Sequence, residues 1–297
     1  MMPQETFGIL LAFAGALFAG AVAILAKLGY TGVDSTLATA LRTVVVLVFA
    51  WGLAALGGHL PELADIPARS WVFLTLSGLA TGASWLCYFA ALQKGDVARV
   101  APIDKSSTIL TMLLAIPILG EIPTPLGVVC MVVMAAGTLL MVGVKKPAPG
   151  ENTPGNGWMA AAWASAVFAA LTSILTKLGV TGIDSTLGTA VRTTVVLVMA
   201  WAMVLVKLGG KGAAREMKKI RGSGWVFLAL SGFATGASWL CQNASLQLID
   251  ASLAAPIDKL SIVVTIVFSR VILKEKLPRA ARIGLVLLVA GTLGLLI

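Results

Sequence analysis

Apolar stretches of about 20 residues recur along the chain, and short polar or glycine-containing connections separate them. A stretch of that length crosses the hydrocarbon core of a bilayer as one α-helix. The pattern therefore predicts an all-α, polytopic membrane protein. Its ten predicted transmembrane helices are at residues 7–26, 36–57, 71–93, 98–118, 124–143, 157–176, 187–208, 225–247, 252–273 and 280–297. The first stretch lacks a basic start and leads into further spans, unlike a cleaved signal peptide.

The second half of the chain repeats the first. Residues 20–51 align with 170–201 without a gap, and 21 of 32 positions are identical. Residues 71–110 align in the same way with 225–264, and 25 of 40 positions are identical. This duplication predicts two repeats, residues 1–150 and 151–297, with five helices each. Because five is odd, the second repeat must enter the membrane in the opposite orientation. Inverted repeats of this kind are typical of secondary transporters.

The basic residues of the connections lie almost entirely on one face of the membrane. Hydrophobic residues make up 58% of the chain and charged residues 12%, about half the charged fraction of a soluble domain. The connections after helices 1, 3, 5, 7 and 9 hold 16 Lys and Arg, whereas the opposite face holds only Arg69 and Lys177. The positive-inside rule makes the first face cytoplasmic and puts both termini outside, in a plasma membrane such as the bacterial inner membrane. The net charge of +9 therefore indicates a lipid bilayer, not nucleic acid, as the partner.

Six charged residues fall inside predicted spans, where an unpaired charge costs several kcal/mol. They are Arg42, Asp104, Lys105, Arg192, Asp258 and Lys259. At 1.5 Å of rise per residue, Arg42 and Asp104 both lie roughly 10 Å from the cytoplasmic end of their helices. Arg192 and Asp258 match them from the outer face. We therefore predict two intramembrane ion pairs that act at gates, Arg42–Asp104 and Arg192–Asp258.

Lys105 and Lys259 are left without an obvious acid. One interpretation is that each contacts an anionic group of a substrate, and the other is that each reaches toward the lipid headgroups. Both lysines end a Pro-Ile-Asp-Lys motif, at residues 102–105 and 256–259. The proline of this motif either starts its helix or marks a break that exposes backbone groups to a ligand.

Polar and aromatic residues within helices 3 and 8 are candidates for a cavity wall. Trp85 and Trp239 occupy equivalent positions in the two repeats, and each is either a core residue or a cavity residue. One turn later the repeats differ, with Tyr88 in the first and Gln242–Asn243 in the second. The two amides either line a cavity or form hydrogen bonds with neighbouring helices.

Two further local patterns have structural interpretations. Glycines four residues apart in helices 3 and 8, Gly78 and Gly82 in the first repeat and 232 and 236 in the second, favour close helix packing. Asp34 and Asp184 precede Ser-Thr-Leu and are typical of helix N-caps.

No motif for a cofactor or a metal is found. Cys87, Cys130 and Cys241 all lie inside spans, as buried small apolar residues do. The chain has no glycine-rich phosphate loop, no paired catalytic carboxylates and no nucleophile elbow. We expect a transporter rather than an enzyme, with no cofactor and no metal.

Two groups of motifs carry a family resemblance. Residues 118–121 (Ile-Leu-Gly-Glu) precede Gly137-Thr-Leu, and residues 272–275 (Ile-Leu-Lys-Glu) precede Gly291-Thr-Leu. Together with ten spans in two inverted repeats, they resemble the EamA branch of the drug/metabolite transporter superfamily. The stretches 82–87 and 236–241, each followed by Pro-Ile-Asp-Lys, are similar to half-length members with five spans. The resemblance implies efflux of amino acids or other small metabolites through a central cavity by alternating access.

The leading hypothesis is therefore export of a small zwitterionic or anionic metabolite by a protein that functions as a monomer. Four basic residues against two acids within the spans favour a carboxylate-bearing substrate. The alternative is proton-coupled efflux of cationic drugs or quaternary amines, as in small multidrug resistance relatives. That chemistry requires Asp104 or Asp258 to exchange a proton for a cation.

Overall fold

The computed structural model of the protein describes residues 3–29, 33–94, 100, 103–104, 106–142, 157–272 and 279–296, and within these residues it contains helices and no strands. A short 3-10 helix, Leu60–Asp65, follows the second α-helix. The longer helices are α1 (Gln4–Gly29), α2 (Ser35–Leu56), α3 (Ala68–Lys94), α4 (Ser107–Leu119), α5 (Pro125–Val142), α6 (Gly157–Val180), α7 (Ser185–Met217), α8 (Gly222–Leu248), α9 (Ala251–Lys259), α10 (Ser261–Ile272) and α11 (Arg279–Gly294).

Six of the described helices are long and apolar enough to cross a membrane, namely α1, α2, α3, α6, α7 and α8. The helices α4, α5 and α11 are shorter apolar helices. The prediction of a helical, multi-pass membrane protein is confirmed, whereas the count of ten spans stays a prediction. The side chain of Asp34 accepts hydrogen bonds from the amides of Thr36 and Leu37, and that of Asp184 accepts one from the amide of Leu187. Both N-cap predictions are therefore confirmed.

The prediction of one continuous helix over 252–273 is wrong, because the helix is interrupted at Leu260 between α9 and α10. Pro256 is the sixth residue of α9 and therefore does not start that helix. In the first repeat, Ser106 occupies the position equivalent to Leu260 and forms a turn before α4. Its amide and its hydroxyl both donate to the carbonyl oxygen of Ile103, at 3.2 and 2.6 Å. In both repeats the described residue that follows Pro-Ile-Asp-Lys, Ser106 or Leu260, is thus a turn.

The predicted end of the seventh helix, at residue 208, coincides with a kink in α7. Gly209 has φ 64° and ψ 169°, a conformation that only glycine adopts without strain, and the chain then continues as a helix to Met217.

The chain forms two compact units, and each contains segments from both sequence repeats. The first unit comprises Met1–Leu79, Leu175–Ile249 and Ile257–Lys274, and the second comprises Ala80–Ile174, Asp250–Pro256 and Glu275–Ile297. One hydrophobic cluster of the first unit contains Ala54, Ile66, Leu74, Val180, Leu187 and Val191. Clusters of the second unit are formed by Ala91, Val100, Trp158 and Ala162, and by Met112, Met131 and Met134.

In the first unit, the equivalent helices α2 and α7 run antiparallel. Asp34, at the start of α2, contacts Lys207 near the kink of α7, with 2.7 Å between Oδ2 and Nζ. Trp51, near the end of α2, donates from Nε1 to Thr194 Oγ1 at 3.1 Å, early in α7. Glycines allow further helices to approach this pair. A methyl group on Gly78 of α3 would lie 2.7 Å from Val195 Cβ, and one on Gly232 of α8 would lie 2.5 Å from Val45 Cβ. The close-packing interpretation is confirmed at these two glycines.

In the second unit, the equivalent helices α5 and α11 also run antiparallel and contact each other in a symmetric way. A methyl group on Gly137 would lie 2.7 Å from both the carbonyl oxygen of Gly284 and the amide nitrogen of Leu288. The equivalent Gly291 would meet the carbonyl oxygen of Cys130 at 3.0 Å and the amide nitrogen of Met134 at 3.2 Å. Residues 130 and 134 are themselves the equivalents of 284 and 288. Each helix therefore uses the same glycine and the same turn to contact its partner.

Candidate functional site

Arg192 is a buried charge that α3 and α8 hold in place. Arg192 lies on the second turn of α7 and is only 5% exposed. Its Nε donates to Ser77 Oγ at 2.9 Å, and Ser77 Oγ lies 2.6 Å from Thr176 Oγ1. The guanidinium carbon lies 5.0 Å from the centroid of the Trp239 ring. A cation over an indole ring is an electrostatically favourable contact. Trp239 therefore packs on Arg192, and the ion pair between Arg192 and Asp258 stays a prediction.

Asn243 of α8 also contacts α7, one turn before Arg192. Its Nδ2 donates to Thr189 Oγ1 at 2.7 Å, and both residues are buried. Thr189 and Arg192 are three residues apart on α7, and Trp239 and Asn243 are four apart on α8, so each pair shares a helix face. This geometry favours the interpretation that Asn243 bonds a neighbouring helix. The adjacent Gln242 is half-buried, and its Oε1 is buried with no hydrogen-bond partner among the described residues.

Asp258 and Lys259 lie together at the end of α9, directly before the interruption at Leu260. Lys259 Nζ is 3.8 Å from Asp258 Oδ2, and the two side chains are 28% and 29% exposed. The expectation that Lys259 lacks an acidic partner is therefore wrong. Adjacent side chains of a regular helix point in different directions. However, α9 ends at Lys259, so the long side chain of Lys259 can reach back to the neighbouring carboxylate.

In the second unit, Asp104 belongs to a chain of buried hydroxyls. Ser165 Oγ donates to Asp104 Oδ1 at 3.1 Å, and Ser84 Oγ donates to the carbonyl oxygen of Ser165 at 3.1 Å. Trp85 is half-buried beside Ser84, and Tyr88 packs against the cluster around Val100 and Trp158. Lys105 lies outside the described residues. Arg42 is half-buried on α2, and its pairing with Asp104 stays a prediction.

An apolar cavity of about 240 Å³ adjoins the turn at Ser106 in the second unit. Side chains of α4, α5 and α6 line it: Ile109, Leu110, Ala135, Thr138, Leu139 and Trp163. It could accept an apolar group next to this turn.

The structure also contains a row of hydroxyl side chains between α3 and α6 that was not predicted from the sequence and that we call the hydroxyl row. It consists of Ser77, Thr81 and Ser84 on α3 and Thr176, Thr172 and Ser165 on α6. Its signal was the spacing of four and three residues, which places Ser77, Thr81 and Ser84 on one helix face. The positions of α1 that are equivalent to the α6 side of the row hold Ala26, Val22 and Gly15. The equivalent pair of helices, α1 and α8, therefore has no hydroxyl side chains at these three positions of α1.

The equivalent residues Asp34 and Asp184 each contact a basic side chain at the helix ends of the first unit. Lys207 Nζ donates to Asp34 Oδ2 at 2.7 Å, and His59 Nε2 lies 3.8 Å from Asp184 Oδ2. Burial alone would raise the pKa of Asp34, but the hydrogen bond from Lys207, the amides of Leu37 and Thr36 and the charge of Lys207 together lower it. The hydrogen bond with Glu62 raises the pKa of His59; slight desolvation opposes this, and the charges of Asp184 and Glu62 add to it.

The structure combines long apolar helices, buried charged residues and a helix that is interrupted after α9. These features define the class of the protein, a multi-pass membrane transporter. The chain belongs to the EamA-like transporter family, whose family model matches residues 6–143 and again residues 156–297. It is 44% identical over 130 residues to a Sinorhizobium sp protein named "uncharacterized transporter in cobO 3'region". That match covers 44% of this chain and 92% of the relative, so the relative has about the length of one repeat.

A protein of known crystal structure shares the fold. It superposes with a TM-score of 0.80 at 18% sequence identity, over 97% of this chain and 94% of the other. This likeness confirms the fold of nearly the whole chain.

Proposed function

We propose that the protein is a secondary transporter that exports small zwitterionic or anionic metabolites, above all amino acids. It works by alternating access through a central cavity, with its two repeats inserted in opposite orientations in the plasma membrane. Because one chain supplies both repeats, a monomer contains the complete machinery.

The symmetric contact between α5 and α11 supports opposite insertion of the repeats. Gly137 of α5 contacts the turn at residues 284–288 of α11, and the equivalent Gly291 of α11 contacts the equivalent turn at residues 130–134 of α5. A two-fold rotation therefore relates the two helices. Because the helices run antiparallel, the rotation axis is perpendicular to them. For helices that cross a membrane, such an axis lies in the membrane plane, as in transporters with inverted repeats. The equivalent helices α2 and α7 also run antiparallel.

Contacts between connections support the proposed topology. Asp34 lies in the connection after the first predicted helix, and Lys207 lies at the end of the seventh. Both positions are assigned to the cytoplasmic face, and the two side chains form an ion pair. His59 and Asp184 follow the second and sixth predicted helices, both assigned to the outer face, and they also lie within ion-pair distance. Connections assigned to one face thus contact each other, as ten alternating spans require.

The observation that carries the substrate class is the Asp258–Lys259 pair at the interrupted helix. An amino acid at neutral pH carries a carboxylate and an ammonium group close together. Lys259 offers a positive charge and Asp258 a negative charge 3.8 Å apart, and both side chains are partly exposed. The interruption adds matching dipoles, because the N-terminus of α10 favours a carboxylate and the C-terminus of α9 favours an ammonium group.

A cation exporter is the alternative, and it requires a carboxylate that exchanges a proton for the cation. The charge of Lys259 disfavours it at Asp258. Lys259 Nζ lies 3.8 Å from Asp258 Oδ2 and repels a cation that, unlike an amino acid, brings no carboxylate to the lysine.

The test is transport by purified protein in liposomes, with labelled amino acids and quaternary amines, with and without a pH gradient. We expect amino-acid flux in the native protein. Lys259→Met and Asp258→Asn should each reduce it about tenfold, the loss that follows from removing one charge-assisted contact. Lys211→Met, at an exposed lysine of α7, is the matched control and should transport normally.

The two variants should also separate the two ends of the substrate. Asp258→Asn should spare a monocarboxylate without an amino group, such as lactate, if the native protein transports it, whereas Lys259→Met should not. Flux of quaternary amines alone, driven by the pH gradient, would contradict the proposal and favour the cation exporter.

A further inference from the structure

Glu121 occupies a buried position after α4 that the function proposed above does not explain. Gly120 ends α4 with φ 73°, and the amides of Gly120 and Glu121 bond back to the carbonyl oxygens of Ile116 and Ala115. A left-handed residue at this position turns the chain sharply away from the helix axis, and glycine adopts it without strain. Glu121 follows this turn and is 8% exposed.

The carboxylate of Glu121 binds the beginning of α9. Oε1 accepts a hydrogen bond from the amide of Ala251 at 2.8 Å, and Oε2 accepts one from the amide of Ser252 at 2.8 Å. The first amides of a helix have no partner within the helix, and the helix dipole makes this end positive. Such amides are usually satisfied by the side chain of the residue just before the helix. Here a carboxylate 130 residues away in sequence provides both acceptors, from the other repeat.

The other end of α9 carries Asp258 and Lys259. The helix has nine residues, so its two ends are about 12 Å apart along its axis. Within one helix the first and last residues keep this separation, so a contact that holds the first amides also acts on the position of the last residues. Burial of Ala254 and Ile257 restrains the middle of the helix, and the carboxylate of Glu121 adds a polar restraint at its beginning.

We propose that Glu121 is a positioning residue of the transporter: by holding the N-terminus of α9, it places Asp258 and Lys259 for the substrate. This inference rests on the proposed function for its role in transport, but the placement itself can be tested without a substrate. A Gln side chain has one acceptor oxygen for two amide donors and no charge. An Asp side chain keeps the charge but is one methylene shorter.

The experiment compares the native protein with Glu121→Gln and Glu121→Asp in lipid nanodiscs. Hydrogen exchange of peptides that cover Ala251–Lys259 reports on the helix. The rate at which an acetyl N-hydroxysuccinimide ester modifies Lys259, read by mass spectrometry, reports on its far end. Glu62→Gln is the matched control, because Glu62 is an exposed carboxylate that contacts His59. The acetylation rate of Lys207 is the internal reference.

We expect Glu121→Gln to accelerate exchange along all of α9 and to change the acetylation rate of Lys259 by about threefold or more, with Lys207 unchanged. Glu121→Asp should show the same two changes at smaller size, and Glu62→Gln should show neither. In liposomes, the concentration of an amino-acid mixture that gives half-maximal uptake should rise about tenfold in Glu121→Gln, with the maximal rate within about twofold.

Faster exchange confined to Ala251 and Ser252, with Lys259 reacting at its native rate, would overturn the inference, because Glu121 would then only cap a helix end. If Glu121→Gln does not fold, Glu121→Asp decides by the same two measurements. Absence of amino-acid transport in the native protein would overturn the proposed function, and the exchange and acetylation rates would still decide whether Glu121 positions α9.

Discussion

At the scale of single residues, the buried polar groups of this protein bond to one another across helices. Arg192 is the clearest case, since its guanidinium group donates a hydrogen bond to a hydroxyl of α3 and packs on an indole ring of α8. The sequence predicted that Arg192 and Asp258 would need partners, because charges within spans are costly. It could not predict the partners, because the side chain that accepts from Arg192 lies 115 residues away in the chain.

The hydroxyl row gives the residue-scale prediction. Ser77→Ala removes the acceptor of Arg192 Nε and should lower the free energy of unfolding by about 1–3 kcal/mol, the usual cost of disturbing a buried, charged donor. Thr176→Val keeps the shape of the side chain and should cost about 1 kcal/mol, typical of a hydrogen bond between membrane helices. Unfolding in mixed micelles of sodium dodecyl sulfate and dodecyl maltoside measures both.

Thr39→Val is the control for this series. The Thr39 hydroxyl donates to the carbonyl oxygen of Ser35 within its own helix and so adds nothing between helices. Its unfolding free energy should equal that of the native protein. Equal losses in Thr39→Val and Thr176→Val would show that the row does not hold α3 and α6 together.

At the scale of helices, the hydrophobic pattern predicted most ends to within a few residues, and capping residues also marked the starts of α2 and α7. Asp34 and Asp184 start α2 and α7 as their side-chain chemistry requires. The interruption at Leu260 was not predictable from hydrophobicity, since Leu260 is as apolar as its neighbours in α10. The preceding proline was the only local signal, and it lies four residues earlier, inside α9.

The two ion pairs at helix ends predict different responses to pH. The pKa of His59 in the folded protein lies above its ordinary value of about 6.5. The stabilisation by its contacts with Glu62 and Asp184 is therefore complete below about pH 6.5 and is lost as pH rises through the raised pKa. The lowered pKa of Asp34 keeps the Lys207–Asp34 pair charged over this whole range.

Thermal unfolding between pH 5.5 and 8.5 tests this difference. In His59→Gln, the melting temperature should fall below that of the native protein at pH 5.5 and converge with it at pH 8.5. In Lys207→Gln, the loss should be the same at every pH in this window. A His59→Gln loss that does not change with pH would contradict the assigned charge state of His59.

At the scale of the whole molecule, the duplication was visible in the sequence, and the matched contacts of Gly137 and Gly291 follow from it. What the duplication did not predict is where the copies differ in contacts. Ser165 has a glycine as its equivalent in the first repeat, so Asp104 has a hydroxyl partner from α6 and Asp258 cannot have the equivalent one. A sequence repeat predicts that equivalent segments share a backbone conformation. Whether an equivalent carboxylate has a hydrogen-bond partner depends on a single side chain of the neighbouring helix.

The proposed transport mechanism depends on the two repeats crossing the membrane in opposite orientations. Alkaline phosphatase and green fluorescent protein, fused in separate experiments after residue 150 and after Ile297, test it directly. We expect fluorescence and no phosphatase activity for fusions after residue 150, and active phosphatase without fluorescence after Ile297. The same result at both positions would mean an even number of spans in the second repeat and would contradict opposite insertion of the repeats.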